Sequence, residues 1–149
     1  MVDALSFDRF LRFVRIPGTT KSEHTKPDTD RNSVVDVFEY LHNKGVTHII
    51  YLEVGSDPDF AQSDIAITRS IKPFTVAELN WKKTDISSDI LREAAPNVRK
   101  LHLYSSGNMG VLKSWGAENG LPSLSKVRCS PLELGNSIRR KLISCSWRS

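Results

Sequence analysis

The sequence predicts an α/β fold, a mainly parallel sheet of about four strands alternating with helices. Three observations point to it. Short runs rich in β-branched and aromatic residues alternate with capped segments whose apolar residues fall at helical spacing. The runs are separated by stretches long enough for a helix rather than by two-residue turns, so neighbouring strands pair in parallel through right-handed crossovers. The chain of 149 residues is 39% hydrophobic and 26% charged, with Phe 6, Trp 3 and Tyr 3, which supplies the apolar surface for one buried interior and excludes wholesale disorder.

In chain order, Leu5, Phe7, Phe10, Leu11, Phe13, Val14 and Ile16 mix helical with strand spacing and end at Pro17-Gly18, so this segment reads as an arm packed on the body. From Thr19 to Arg31 the only apolar residue is Pro27, which predicts an exposed loop. Residues 1–31 are therefore read as arm and loop, ahead of a single α/β domain over 32–129. Asn32 or Ser33 caps a helix whose stripe is Val34, Val37, Phe38 and Leu41, and Gly45 permits its left-handed stop. Val46 to Val54 is a strand ended by Gly55-Ser56-Asp57-Pro58. Ser63 caps a short helix with Ile67 and Ile71, Pro73 breaks it, and Phe74 to Trp81 is the next strand. Ser87 or Ser88 opens a helix carrying Ile90, Leu91 and Ala94 that stops at Pro96, followed by a strand from Val98 to Ser105. Asn108 caps a helix with Val111, Leu112 and Trp115, Gly116 and Gly120-Leu121-Pro122 mark turns, and Leu124 to Cys129 reads as a fourth strand.

The strands share a frame, apolar-x-x-apolar-x-apolar: Val76, Leu79, Trp81; Val98, Leu101, Leu103; Leu124, Val127, Cys129. The offsets are 22 and 26 residues, and Val46, Ile49, Tyr51 fit the frame 30 residues earlier, outside the span of about 20 to 29 typical of leucine-rich repeats. Two windings account for this alternation: an irregular leucine-rich-repeat-like array, or an open doubly wound sheet with helices on both faces.

The net charge of +4 is concentrated at the end of the chain: residues 1–120 hold 15 Lys/Arg against 16 Asp/Glu, residues 121–149 hold 6 against 1. Ser130-Pro131-Leu132-Glu133 is a helix start, but Gly135 and Asn136 interrupt the thin stripe of Leu134, Ile138 and Leu142, so 130–149 reads as a basic, marginally helical tail. Two cysteines, Cys129 and Cys145, exclude a disulfide framework and a four-cysteine zinc site. With no signal-peptide pattern and no transmembrane segment, the expected location is intracellular, cytoplasmic or nuclear.

Candidates for chemistry are sparse. His24 falls in the polar loop, His42 on the outer side of the first helix, and His48 and His102 in or beside strands, where a structural hydrogen bond is the expected role. Asp57, Asp59 and Asp64 lie near the carboxyl end of a strand without forming a cation-loop motif. Ser105-Ser106-Gly107-Asn108-Met109-Gly110 joins a strand to a helix, where backbone amides can meet an anion, but it lacks both Gly-x-Gly-x-x-Gly and a Gly-Lys-Ser/Thr ending. Trp81 and Trp115 occupy core positions of the pattern. No cofactor or metal is expected.

Several strings occur in order between Val35 and Leu124: GVTHIIYLEV, QSDIAI, LNWKKTDIS, APNVRKLHLYSSGN and VLKSWGAENGLPSL. With their W-x-K-x-D, N-V-R-x-L-H-L and S-G-N-x-x-V-L-x-x-W patterns, they resemble the non-catalytic N-terminal flanking region of fungal subtilisin-like serine proteases. The resemblance covers roughly 90 residues and does not bring proteolysis, because the Asp-Thr/Ser-Gly, His-Gly-Thr and Gly-Thr-Ser motifs of the peptidase are lacking. The expected function is thus a non-catalytic module that binds a protein partner through the edge or concave face of its sheet and the loops after the strands, near Asp57, Lys82, Lys83, Ser105 and Asn108. The alternative is binding of nucleic acid or an anionic surface by the basic tail, with Arg139, Arg140 and Lys141 as contacts. A third reading is a small hydrolase or transferase at the Ser105–Asn108 turn, which requires a pocket and a convergent base.

Overall fold

The computed structural model describes residues 6–18, 30–55, 62–127 and 141–146. The elements follow as β1 (Phe10–Ile16), α1 (Asp30–Asn43), β2 (His48–Val54), α2 (Asp64–Ile71), β3 (Thr75–Thr84), α3 (Ser88–Ala94), β4 (Lys100–Ser105), α4 (Met109–Gly116), a 3-10 turn (Leu121–Ser123) and β5 (Lys141–Ser146). Strands β1 to β4 are parallel and lie side by side in chain order, and β5 runs antiparallel along β4. When strands sit in chain order, crossovers of the usual right hand deliver every helix to one face. Accordingly α1 packs on α2 and α2 on α3. Of the two windings open to the sequence, the structure adopts the repeat-like one, and among the described residues no helix covers the second face of the sheet.

Local chemistry sets the element boundaries. Gly45, at φ 88°, closes α1: its N–H donates to the His42 carbonyl at 2.9 Å and the Val46 N–H to that of Leu41 at 3.1 Å, the paired bonds of a Schellman stop. Ser63, Ser87 and Asn108 cap α2, α3 and α4 by accepting from the amides of Ala66, Ile90 and Gly110. Val34, Phe38 and Leu41 face inward from α1, whereas Val37 of the expected stripe is 42% exposed. Gly55 admits the end of β1, since a Cβ there would lie 2.2 Å from the Gly18 nitrogen.

The interior is built on the repeated frame. Ile49, Leu52 and Val54 of β2 stand opposite Val76, Leu79 and Trp81 of β3, and Leu79 stands opposite Leu101 of β4. All are at most 1% exposed. The frame of β2 is therefore Ile49, Leu52, Val54 rather than Val46, Ile49, Tyr51, and its offset to β3 is 27 residues (49 to 76), inside the span of about 20 to 29 of leucine-rich repeats. Leu11, Val14 and Ile16 of β1 continue the same columns against Ile49, Leu52 and Val54 and are half-buried. The expected arm is thus the first strand of the sheet.

Two other segments differ from the sequence reading. Leu124 and Val127 are buried as the frame demands, but their N–H groups donate to Leu121 and Leu124, and these tight local bonds take the donors that a strand ladder would need. The available edge of β4 is taken instead by residues 141–146, paired from Lys100↔Ser146 to Ser105↔Lys141. That segment, expected within a marginal helix, is a strand: the helical stripe before it is interrupted at Gly135 and Asn136, while β4 offers it six registered pairs. The remainder of 128–140 lies outside the described residues.

Candidate functional site

With the helices on one side, the strand residues between the inward positions line the other, where most are partly exposed and Asn80 is buried. Register sets them in columns: Phe13, Tyr51, Glu78, Lys100, and beside it Arg15, Glu53, Asn80, His102. At the β1 end the first column is aromatic, and so is the registered pair Phe10 and His48 at the start of the strands. The Phe13 ring stacks on Tyr51 with centroids 5.0 Å apart and planes 3° from parallel, and Phe10 stacks on His48 at 4.5 Å. Both phenylalanines are more than half exposed, at 61% and 60%.

Toward β4 the face becomes a polar network. Glu53 accepts from Lys82 Nζ at 2.8 Å and from the Tyr51 hydroxyl at 3.2 Å, with Arg15 Nε 3.5 Å away. Asn80 links two tyrosines, donating from Nδ2 to the Tyr51 oxygen at 3.1 Å and accepting at Oδ1 from the Tyr104 hydroxyl at 2.9 Å. Glu78 pairs with His102 Nε2 at 2.7 Å and Lys100 Nζ at 3.0 Å. Linked hydrogen bonds of this kind hold one another's rotamers, so the face presents charges in fixed places.

Titration follows from these partners. The hydrogen bond from Lys82 is the chief cause that holds the Glu53 carboxyl below its ordinary value, with Tyr51 and Arg15 adding to it and burial opposing. At Glu78 burial is the largest influence and pushes upward, but the bonds from His102 and Lys100 together outweigh it and the carboxyl is lowered. Burial raises Tyr104, partly offset by the charge of Lys82.

The residues singled out from the sequence fall in different environments. Lys82 belongs to the open face through Glu53, whereas Lys83 reaches the opposite side, bonding the Gln62 carbonyl at 2.9 Å and Asp64 at 2.7 Å. Ser105 is buried, its hydroxyl accepting from the Gly107 N–H at 3.0 Å, and Asn108 is exposed and occupied as the α4 cap. The Ser106 amide and hydroxyl both bond the carboxylate of Asp85, itself at φ 58°. The turn amides of Gly107 and Gly110 are thus satisfied within the turn and that of Ser106 by Asp85. Asp57, Arg139 and Arg140 lie outside the described residues, and Lys141 is the first residue of β5.

His42 packs edge-on against Phe74, and His48 bonds the Thr47 hydroxyl at 2.8 Å. Trp81 and Trp115 are core residues, and the Trp115 indole donates to the Ile86 carbonyl at 2.7 Å. Among the described residues no cluster of three or more His, Cys, Asp or Glu is placed to hold a metal ion, and no helix is long and apolar enough to cross a membrane.

Phe10, Phe13, Tyr51, Glu53, Glu78, Asn80, His102 and Tyr104 were not apparent as a group from the sequence. The signal that would collect most of them is the frame itself: once β1 to β4 are aligned on their inward residues, Phe13, Tyr51 and Glu78 fall into one of the columns above and Glu53, Asn80 and His102 into the other, with Phe10 opposite His48. Set against protein-family models, curated proteins and solved structures, the chain matches none.

Proposed function

We propose that the protein is a non-catalytic interaction module that binds a protein partner across the open face of its sheet. The observation that carries this reading is the contrast on that face between two exposed, stacked phenylalanines and an adjoining hydrogen-bonded set of charged residues. Aromatic anchors beside fixed charges are the composition of protein-binding hot spots, and their pre-set rotamers lower the ordering cost of association. The engaged amides of the Ser105–Asn108 turn fit a structural rather than a chemical role for that turn.

The test is capture of a partner by the intact chain and by two charge-altered variants. Phe13→Glu with Lys100→Glu changes the open face, and Arg69→Glu with Lys72→Glu changes the exposed helix side. Loss of the partner with the first pair alone, at unchanged melting temperature, supports the reading. Equal recovery with both pairs overturns it.

A second reading, binding of nucleic acid or an anionic surface, is favoured by the 6 basic residues against 1 acidic in residues 121–149. Deleting the tail would also remove β5 from the sheet. Arg139→Glu with Arg140→Glu is the cleaner test, and this reading requires salt-steep binding of the intact chain that the pair abolishes.

A further inference from the structure

The sheet has two edges, β1 and β5, each paired on one side only, and among the described residues no strand pairs with the outer edge of β1. An unpaired edge is a template for a further strand.

The side chains of β1 narrow what that strand is. Phe10 on His48 and Phe13 on Tyr51 are two-rung aromatic ladders with centroids 4.5 and 5.0 Å apart, close to the strand spacing of about 4.8 Å. Both ladders stop at the edge, on phenylalanines that are 61% and 60% exposed. A further rung on each requires two aromatic side chains three residues apart. Charge supplies the second constraint. Arg9, Arg12 and Arg15 are exposed along this segment. Arg15 is engaged by Glu53, while the Arg9 and Arg12 side chains have no ion-pair partner among the described residues. A second copy of the chain would bring arginine against arginine in an edge-to-edge pairing, so charge complementarity selects an acidic partner.

We propose that the β1 edge accepts an extended acidic segment of another protein as a further strand, its carboxylates meeting Arg9 and Arg12 and two aromatic residues at i and i+3 continuing the Phe10 and Phe13 ladders. This deepens the protein-binding reading by naming the partner's chemistry, and it rests on that reading.

The experiment titrates the full chain against short fluorescein-labelled peptides by anisotropy. The first alternates glutamate with valine and carries phenylalanines three apart; the second replaces each glutamate by lysine; the third keeps the charge of the first but has prolines at alternate positions, which removes backbone donors. Expected is binding of the first alone, weakened about tenfold or more by Arg9→Glu with Arg12→Glu, together with slowed amide exchange over residues 10–16. Equal binding of the proline peptide means charge alone, and binding of the lysine peptide means no charge selection; either overturns the proposal. So does self-association of the chain through β1, or no binding of the first peptide. If the first peptide fails while Phe13→Glu with Lys100→Glu still abolishes partner capture, the edge assignment falls and the protein-binding reading stands. If the peptide binds while those substitutions leave capture unchanged, the edge stands and the open-face reading falls.

Discussion

The two faces of the same strands invite comparison. On the covered face Leu52, Leu79 and Leu101 form a column at most 1% exposed, packed under helices that contribute Phe38, Ile71 and Leu91. One residue further along each strand, Glu53, Asn80 and His102 form a column that is polar throughout and bonded laterally. The first is held by exclusion of water and the second by directed bonds in partial contact with it. A change in the leucine column therefore acts on folding, while a change in the polar column acts on how the surface is presented.

That contrast can be broken most forcefully at Leu52. Truncation by Leu52→Ala leaves a cavity at a fully buried position and is expected to cost about 3–4 kcal/mol, read as a lower urea midpoint at unchanged m-value. A loss below about 1 kcal/mol would show that the covered face is not the cohesive one. On the open face Asn80→Ala takes away the acceptor of the Tyr104 hydroxyl and one of the two bonds of the Tyr51 hydroxyl, which keeps Glu53, and should cost about 1–3 kcal/mol. Far-UV dichroism should stay unchanged, and hydrogen exchange should quicken at β3 and β4.

The comparison is sharpened by a polar group in the wrong setting. Ser70 of α2 is 1% exposed and its hydroxyl has no hydrogen-bond partner among the described residues. Ser70→Ala should raise stability by up to about 1 kcal/mol, measured by the same denaturation, because it removes an unsatisfied group without opening a large cavity. The smallest expected effect is at Glu78. Its carboxyl is lowered from an ordinary value of 4.5, so the stability it contributes is present above that pH and lost as pH falls through the lower folded value. Replacement by Gln should flatten the acid limb of the stability profile and leave neutral pH nearly unaffected; an unchanged acid limb would remove Glu78 from the network.

Much of the fold is legible in the sequence, because caps and inward residues carry strong local signals. Ser63, Ser87 and Asn108 each cap the helix expected of them, and the frames of β3 and β4 read directly. β2 carries two overlapping frames, since Val46 and Tyr51 are apolar enough to mimic inward positions; Val46 is indeed buried, but the Tyr51 hydroxyl belongs to the open face. β1 hides its Leu11, Val14 and Ile16 among phenylalanines that face the other way. The site is the least legible part. Glu53, Glu78, Asn80 and His102 are spread over three strands and look like ordinary surface residues until lateral register sets them side by side. Of the described residues chosen from the sequence as contacts, Lys82 joins that network, while Lys83, Ser105 and Asn108 are engaged elsewhere.

The reversal of direction at β5 has a consequence for how such a chain can lengthen. Duplicating a strand–helix unit extends a parallel array only where the next strand can enter pointing the same way, and beyond β4 that place is filled by a strand running against the others. A larger descendant of this architecture would gain its extra units ahead of β1 or between existing ones, with the terminal reversed strand kept as a fixed end-stop.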